Sequence, residues 1–324
     1  MIIMRKCKTA LLFLIVALRV TSAVSQETFP VNGVADKRNG TYAFINASIV
    51  KDAQTTLSNA TMLVKDGKIV AVGSSVSLPA DATVIDCKGK YIYPSFIDIY
   101  SDYGIALPQR QSGTFNFFAP AQLTSNAKGA YGWNQAIRSD VNGADLFTTD
   151  ETKAKQLRDA GFGVVHSHQK DGIARGTGVV VSLADKAENF SIIKEKASSN
   201  FSFVKGISTQ TYPGSLMGSI ALLRQTFLDA QWYKNKPATE GTNLSLQAWN
   251  NNLSLPQIFD AGDKWNNLRA DRIGDEFGVQ FIIKAGGDEY QRMAEMAATK
   301  ASFILPINFP QAMEVEDPNE TSFI

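Results

Sequence analysis

Histidine and cysteine are scarce in this chain, with two of each in 324 residues. That scarcity excludes a zinc-finger array and a disulfide-stapled small domain, and any metal site has to economise on imidazole. A dominant charge is missing too: 32 Lys+Arg stand against 31 Asp+Glu, with no long run of either sign. A polyanion-binding surface has no support, so nucleic acid is not the expected partner. Neither a Gly-x-Ser-x-Gly elbow nor a Walker A loop occurs, and serine and cysteine hydrolase readings fall away. What is present is ordinary globular material, 44% hydrophobic and 19% charged. It suffices for about two or three domains, or for one large α/β barrel with appendages.

Long apolar runs are confined to the start. Arg5, Lys6 and Lys8 precede an apolar stretch from Thr9 to Val20, broken only by Arg19, and the small residues Ala23-Val24-Ser25 follow. This order predicts a secretory signal peptide over residues 1–25 and an exported product, periplasmic or secreted. The run is shorter than the ~20 residues a membrane span needs, so no membrane attachment is expected once the leader is removed. Cys7 leaves with the leader. Cys87 then stands alone in the mature chain and reads as a small buried apolar residue.

From Tyr42 to Ile92 the pattern predicts short strands, at Tyr42–Val50, Ala60–Lys65, Lys68–Gly73 and Thr83–Ile85. Asp66-Gly67 between two apolar runs is the strongest hairpin signal, because glycine accepts the positive φ of a type I′ turn. After Pro94 comes a strand at Phe96–Ile99 and a Gly/Asn/Gln/Ser-rich stretch from about Gly104 to Gly143. So long a connection suggests a functional loop or lid, anchored by Phe115, Phe117, Phe118, Tyr131 and Trp133.

Thr148-Thr149-Asp150-Glu151 reads as a capping box that opens a helix ending at Gly161. Strands at Gly163–His168 and Gly178–Leu183 follow, then a long helix from Pro213 to Tyr233 and an Asn-rich connector at Asn243–Asn252. The remainder alternates: strand Gln257–Phe259, helix Asp263–Phe277, strand Val279–Lys284, helix Asp288–Lys300, strand Ser302–Ile307. Alternation of this kind predicts parallel βα units, with about six barrel-type strands where a closed barrel has eight.

The segment Leu63-Val64-Lys65-Asp66-Gly67-Lys68-Ile69-Val70-Ala71-Val72-Gly73, with Val84-Ile85-Asp86, Gly89-Lys90 and Pro94-Ser95-Phe96-Ile97-Asp98, resembles the entrance to the amidohydrolase superfamily, above all its imidazolonepropionase-like branch. The later βα units ending in Phe303-Ile304-Leu305-Pro306 resemble it less specifically. The resemblance implies an α/β fold: an incomplete (β/α)8 TIM-like barrel over 94–324, preceded by a small β-sandwich module over 26–93. It implies a divalent metal, zinc by family habit, and hydrolysis of carbon–nitrogen bonds in a small-molecule amide or short peptide. The stop at Ser322-Phe323-Ile324 suggests a chain cut inside its domain, with a C-terminal module of the same longer protein as a possible partner.

In the resembling family a His-x-His pair follows the Pro-Gly-x-Ile-Asp segment. Here those positions hold Tyr100 and Asp102. Alternate residues of a strand share a face, which is why two ligands need that spacing. Asp102 can still ligate a hard ion, whereas Tyr100 is a poor first choice. Both histidines of the chain occur as His166-Ser167-His168, which repeats the spacing on the next strand. They are either a displaced metal pair at a barrel strand's carboxyl end or two half-exposed histidines at a strand end. Lys170, Asp171, Asp260, Lys284 and Asn308 hold other strand-end positions; Lys205 and Lys284 mimic the family's lysine ligand only loosely. Ala285-Gly286-Gly287 before a helix is a weak phosphate signal or a plain turn. Two readings of function stay open: a metal-dependent amidohydrolase in its complete form, or a catalytically degenerate barrel that binds or scaffolds.

Overall fold

The structure is a computed structural model and describes residues 40–109, 120–125, 134–236, 239 and 241–307. The leader expected at 1–25, the five aromatic anchors expected between Phe115 and Trp133, and Asn308 lie outside the described residues. Two compact units meet in sequence between Pro94 and Ser95.

The first unit is built on β1 (Thr41–Val50), with β2 (Thr56–Lys65), β3 (Lys68–Gly73), β4 (Thr83–Asp86) and β5 (Tyr91–Ile92). β2 runs antiparallel to β1 on one side, while β4 and β5 lie parallel to it on the other, giving the order β3-β2-β1-β4. The β2–β3 hairpin turns where expected, with Asp66 at φ 50° and Gly67 at φ 74°, the left-handed pair a type I′ turn requires. Ala47, Ile49, Ala60 and the free Cys87 are buried together against Phe44, Leu57 and Met62. Among the described residues this is one five-stranded sheet, and the second sheet expected of a sandwich is not seen in them.

The second unit is a seven-stranded sheet in the order β12-β11-β10-β9-β8-β7-β6. Its strands are β6 (Phe96–Ser101), β7 (Phe162–Ser167), β8 (Ala174–Ser182), β9 (Ile192–Ser202), β10 (Gln257–Asp260), β11 (Phe281–Lys284) and β12 (Ser302–Ile304). Two expectations are corrected here. β8 runs antiparallel to both β7 and β9, interrupting the parallel βα series. β9 itself was not expected, because its buried half is Ser198, Ser199, Asn200, Phe201 and Ser202, mostly polar residues that do not read as a core strand. From β9 onward the strands are parallel.

The helices are α1 (Gly143–Leu146), α2 (Glu151–Asp159), α3 (Glu188–Ser191), α4 (Leu216–Lys234), α5 (Leu244–Asn252), α6 (Lys264–Phe277) and α7 (Met293–Thr299), the last preceded by a 3-10 turn at Glu289–Arg292. The start of α2 sits two residues beyond the predicted cap: Asp150 accepts from the Lys153 N–H, while the Thr149 N–H and hydroxyl donate to Glu188. Gly161, at φ 94°, closes the turn after it. The Asn-rich stretch is a helix, not a connector. Asn243 caps α5 by accepting from the Leu246 N–H, and Trp249 inserts beside Phe201 and Phe227. Phe201, Phe259 and Phe281, from neighbouring strands, pack with Leu223, Phe227 and Ile273 from the helices, and this aromatic layer carries the largest core. Part of the expected lid belongs to that core, since Ala136 and Ile137 are buried in it and Ile137 bridges Ala174. Among the described residues no helix is long and apolar enough to cross a membrane.

Candidate functional site

Tyr100 stands at the carboxyl end of β6 and Asp260 at that of β10, four places apart along the sheet. At about 4.8 Å per strand a flat sheet would separate them by about 19 Å, beyond the reach of the two side chains. The Tyr100 hydroxyl nevertheless donates to Asp260 Oδ2 at 2.6 Å. The sheet is therefore strongly curled, with strand ends facing one another across its inside. A closed barrel is not formed among the described residues, where β6 and β12 are the two ends of the sheet.

Arg175, at the start of β8, completes the triangle. Because β8 is antiparallel, its first residues lie at the same end as the carboxyl ends of its neighbours. Its Nη1 donates to the Tyr100 oxygen at 2.9 Å and to Asp260 Oδ2 at 3.1 Å, and its Nε donates to the Gly172 carbonyl. The guanidinium side chain is 6% exposed. Two lysines flank the phenol: Lys170 Nζ lies 4.8 Å and Lys284 Nζ 5.5 Å from the ring centroid. Each makes a loose ion pair at 3.8 Å, Lys170 with Asp102 and Lys284 with Asp260. Burial pushes the Tyr100 phenol well above its ordinary range, so it acts as a neutral donor.

Of the four residues expected at a metal, Tyr100, His168 and His166 stand together, with ring centroids 4.9 Å apart between Tyr100 and His168 and 5.9 Å apart between the two histidines, while Asp102 stands apart. β6 ends at Ser101, so Asp102 no longer alternates with Tyr100; its side chain is 54% exposed and borders a cleft of about 580 Å³ with Lys153, Gln156 and Leu157. His166 is buried with both ring nitrogens engaged, Nδ1 on the Ile99 carbonyl at 3.1 Å and Nε2 on Ser198 Oγ at 2.7 Å. His168 is fully buried, edge-on to the Tyr100 ring at 4.9 Å, and neither of its ring nitrogens has a hydrogen-bond partner among the described residues. The half-exposed reading of the pair is therefore corrected as well. Burial lowers the pKa of His166 and holds that of His168 well below the ordinary 6.5, with Arg175, His166 and Lys170 adding to the second effect.

A hydrolytic divalent ion does not fit this donor set. His166 is consumed by protein partners, the Arg175 charge disfavours a second positive charge at His168, and Asp260 is already shared by Arg175 and Lys284. Among the described residues no group of three or more His, Cys, Asp or Glu could hold a metal ion. The other candidates are structural. Asp171 pairs with Arg138 at 2.5 Å, Lys205 donates to the Gln210 carbonyl, and the N–H groups of Gly286 and Gly287 donate to the Glu289 carboxylate, which fills the turn a phosphate would need. Arg175 is the residue that sequence reasoning missed. The signal for it is an arginine set among glycine and small residues in Ile173-Ala174-Arg175-Gly176-Thr177-Gly178, a stretch too apolar for a solvated surface strand.

No family model matches the chain, and no curated protein does. Among solved structures, a D-hydantoinase (dihydropyrimidinase) from Thermus sp. aligns at 12% identity over 82% of this chain and 57% of that one, with a TM-score of 0.35. A prolidase complexed with N-methylphosphonate-L-proline aligns at 14% identity over 81% and 65%, with a TM-score of 0.36. Neither superposition is close enough to carry an argument. An amidohydrolase from Thermotoga maritima superposes with a TM-score of 0.63 at 21% identity, over 85% of this chain and 73% of that one. The likeness extends to fold alone: the chain is built on the fold of that amidohydrolase.

Proposed function

We propose that the unit beginning at Ser95 is a catalytically degenerate amidohydrolase-fold module that binds a small amide or short peptide without hydrolysing it. The observation that carries this reading is the Arg175 guanidinium, which holds both Tyr100 and Asp260 at the curled strand ends. A fixed organic cation there neutralises the carboxylate and repels a second cation, so no water can be activated by these residues in the way a metal hydrolase requires. Lys170 and Lys284 instead present donors and positive charge, which suits recognition of carbonyl and carboxylate groups. The leader-like residues 1–25 support export of the protein to the periplasm or medium. The Leu63–Gly73 and Pro94–Asp98 segments support kinship with the imidazolonepropionase-like branch.

Elemental analysis of the purified protein tests the reading. Less than a tenth of an equivalent of metal per chain is the expected result, unchanged on replacing His166 and His168 by Ala. Stoichiometric metal that is lost in that variant overturns it.

The fold shared with the Thermotoga amidohydrolase favours a second reading for the complete protein, a metal-dependent hydrolase of carbon–nitrogen bonds. In that case a divalent ion, zinc by resemblance, and its ligands belong to a C-terminal module of the same longer protein. Metal retained in full by the His166→Ala/His168→Ala variant, with amide hydrolysis intact, is the outcome that supports it.

A further inference from the structure

Of the three cations at these strand ends, Arg175 is the one whose side chain donates hydrogen bonds among the described residues. Arg175 donates to Gly172, Tyr100 and Asp260, whereas the Lys170 and Lys284 ammonium groups make no hydrogen bond among the described residues. Their nearest carboxylates stand at 3.8 Å, the outer edge of ion pairing, and each lysine side chain is 28% exposed. Both side chains are thus partly exposed, with their ammonium groups over one aromatic ring, a placement that the ring's quadrupole favours. Three cations share two carboxylates in these ion pairs, Asp102 and Asp260; the nearby Asp98 keeps its charge, accepts from the Tyr100 N–H at 3.0 Å and pairs with none of the three. Within the ion pairs one cation is in excess. His168 adds a second observation, for it lies fully buried against Tyr100 with both ring nitrogens unpartnered.

From this geometry we infer that the strand ends form a binding site for a small organic carboxylate, a monoanion drawn to the Lys170 and Lys284 ammonium groups beside the Tyr100 ring. A carboxylate matches two separate ammonium donors with one charge, and charge-assisted hydrogen bonds at 2.7–2.9 Å are stronger than the loose pairs they replace. The inference rests on the binding-module reading above and names the ligand class of that module.

The test is titration calorimetry on the whole chain, after dialysis against chelator and in low chloride, with N-acetylglycinate, N-acetylglycinamide and inorganic phosphate as probes. One N-acetylglycinate binds per chain, the neutral amide binds at least tenfold more weakly, and phosphate binds no tighter than the carboxylate. Lys170→Met and Lys284→Met each weaken carboxylate binding at least fivefold, while Lys284→Arg retains it. Equal affinity for carboxylate and amide, unchanged affinity in both Met variants, or no carboxylate binding by a chain that melts cooperatively would each overturn the site. Tighter binding of phosphate overturns the monoanion assignment. Metal content of the undialysed sample separates the two failures. Stoichiometric metal lost on replacing His166 and His168, with carboxylate binding intact, defeats only the non-hydrolytic reading; a metal-free chain that ignores carboxylates defeats only the anion site.

Discussion

Arg175 and Asp260, 85 residues apart in sequence, meet at 3.1 Å, and the Tyr100 hydroxyl bonds to both. This triangle ties β6, β8 and β10 together at one end of the curled sheet. It also puts a permanent positive charge between the Tyr100 hydroxyl and the Asp260 carboxylate.

Removing one member of the triangle leaves its partners unpaired in a mostly dry environment. Arg175→Met is expected to cost about 3 kcal/mol of stability in urea denaturation. Lys284 still pairs with Asp260, so the loss should not unfold the chain outright. Adding Asp260→Asn should cost less than the sum of the single changes, because the stranded carboxylate is then neutral; strict additivity would show that the two side chains do not interact.

The two histidines set an acid limit. Both have folded pKa values below the ordinary 6.5, chiefly from burial, so the unfolded chain binds protons more readily than the folded one. Their contribution is fully present above about pH 6.5 and is lost as the pH falls below that value. Thermal midpoints should therefore drop between pH 7 and pH 5. His168→Leu, which replaces an imidazole with no hydrogen-bond partner, should stay within about 1 kcal/mol of the parent at pH 7 and show a shallower acid slope. An unchanged slope would remove His168 from the account.

Gly178 faces His166 so closely that an added Cβ would stand 2.6 Å from Ser198 Oγ and closer still to the imidazole Nε2. Gly178→Ala has to push apart a buried hydrogen-bonded pair packed between β7, β8 and β9. A loss of about 2 kcal/mol is expected, measured by denaturant midpoint. A neutral outcome would mean that this pair is not rigidly held.

Asn243 decides whether residues 244–252 are helical. Its side chain satisfies one of the free N–H groups at the start of α5, and Asn243→Ala should cost about 1 kcal/mol. Amide hydrogen exchange would show the loss concentrated in α5, and Trp249 fluorescence would report loosening against Phe227. An effect spread evenly over the chain would contradict the capping role.

The comparison of pattern with structure is instructive where it fails. β9 hides because serine and asparagine occupy its inward face, where they hold Ser198 to His166 and Asn200 to the Gly176 carbonyl. A strand whose core face is polar has no period-two hydrophobic signal. The Asn-rich helix hides for a similar reason, since Asn250 and Asn252 spend their side chains on the Ala230 and Ser139 carbonyls. In both places polar residues make buried hydrogen bonds that composition reads as loop.

By itself the sequence determines what depends on neighbours along the chain. The Asp66-Gly67 hairpin, the Asp263-capped α6 and the alternation after Gln257 follow from backbone preference and spacing over a few residues. Only the tertiary structure decides that β8 reverses, that Asp102 leaves the strand while Tyr100 stays on it, and that His166 is taken by Ser198. It alone brings Tyr100 to Asp260 across 160 residues. Such contacts depend on how far a sheet curls and which way one strand runs, and those are settled by packing among distant side chains.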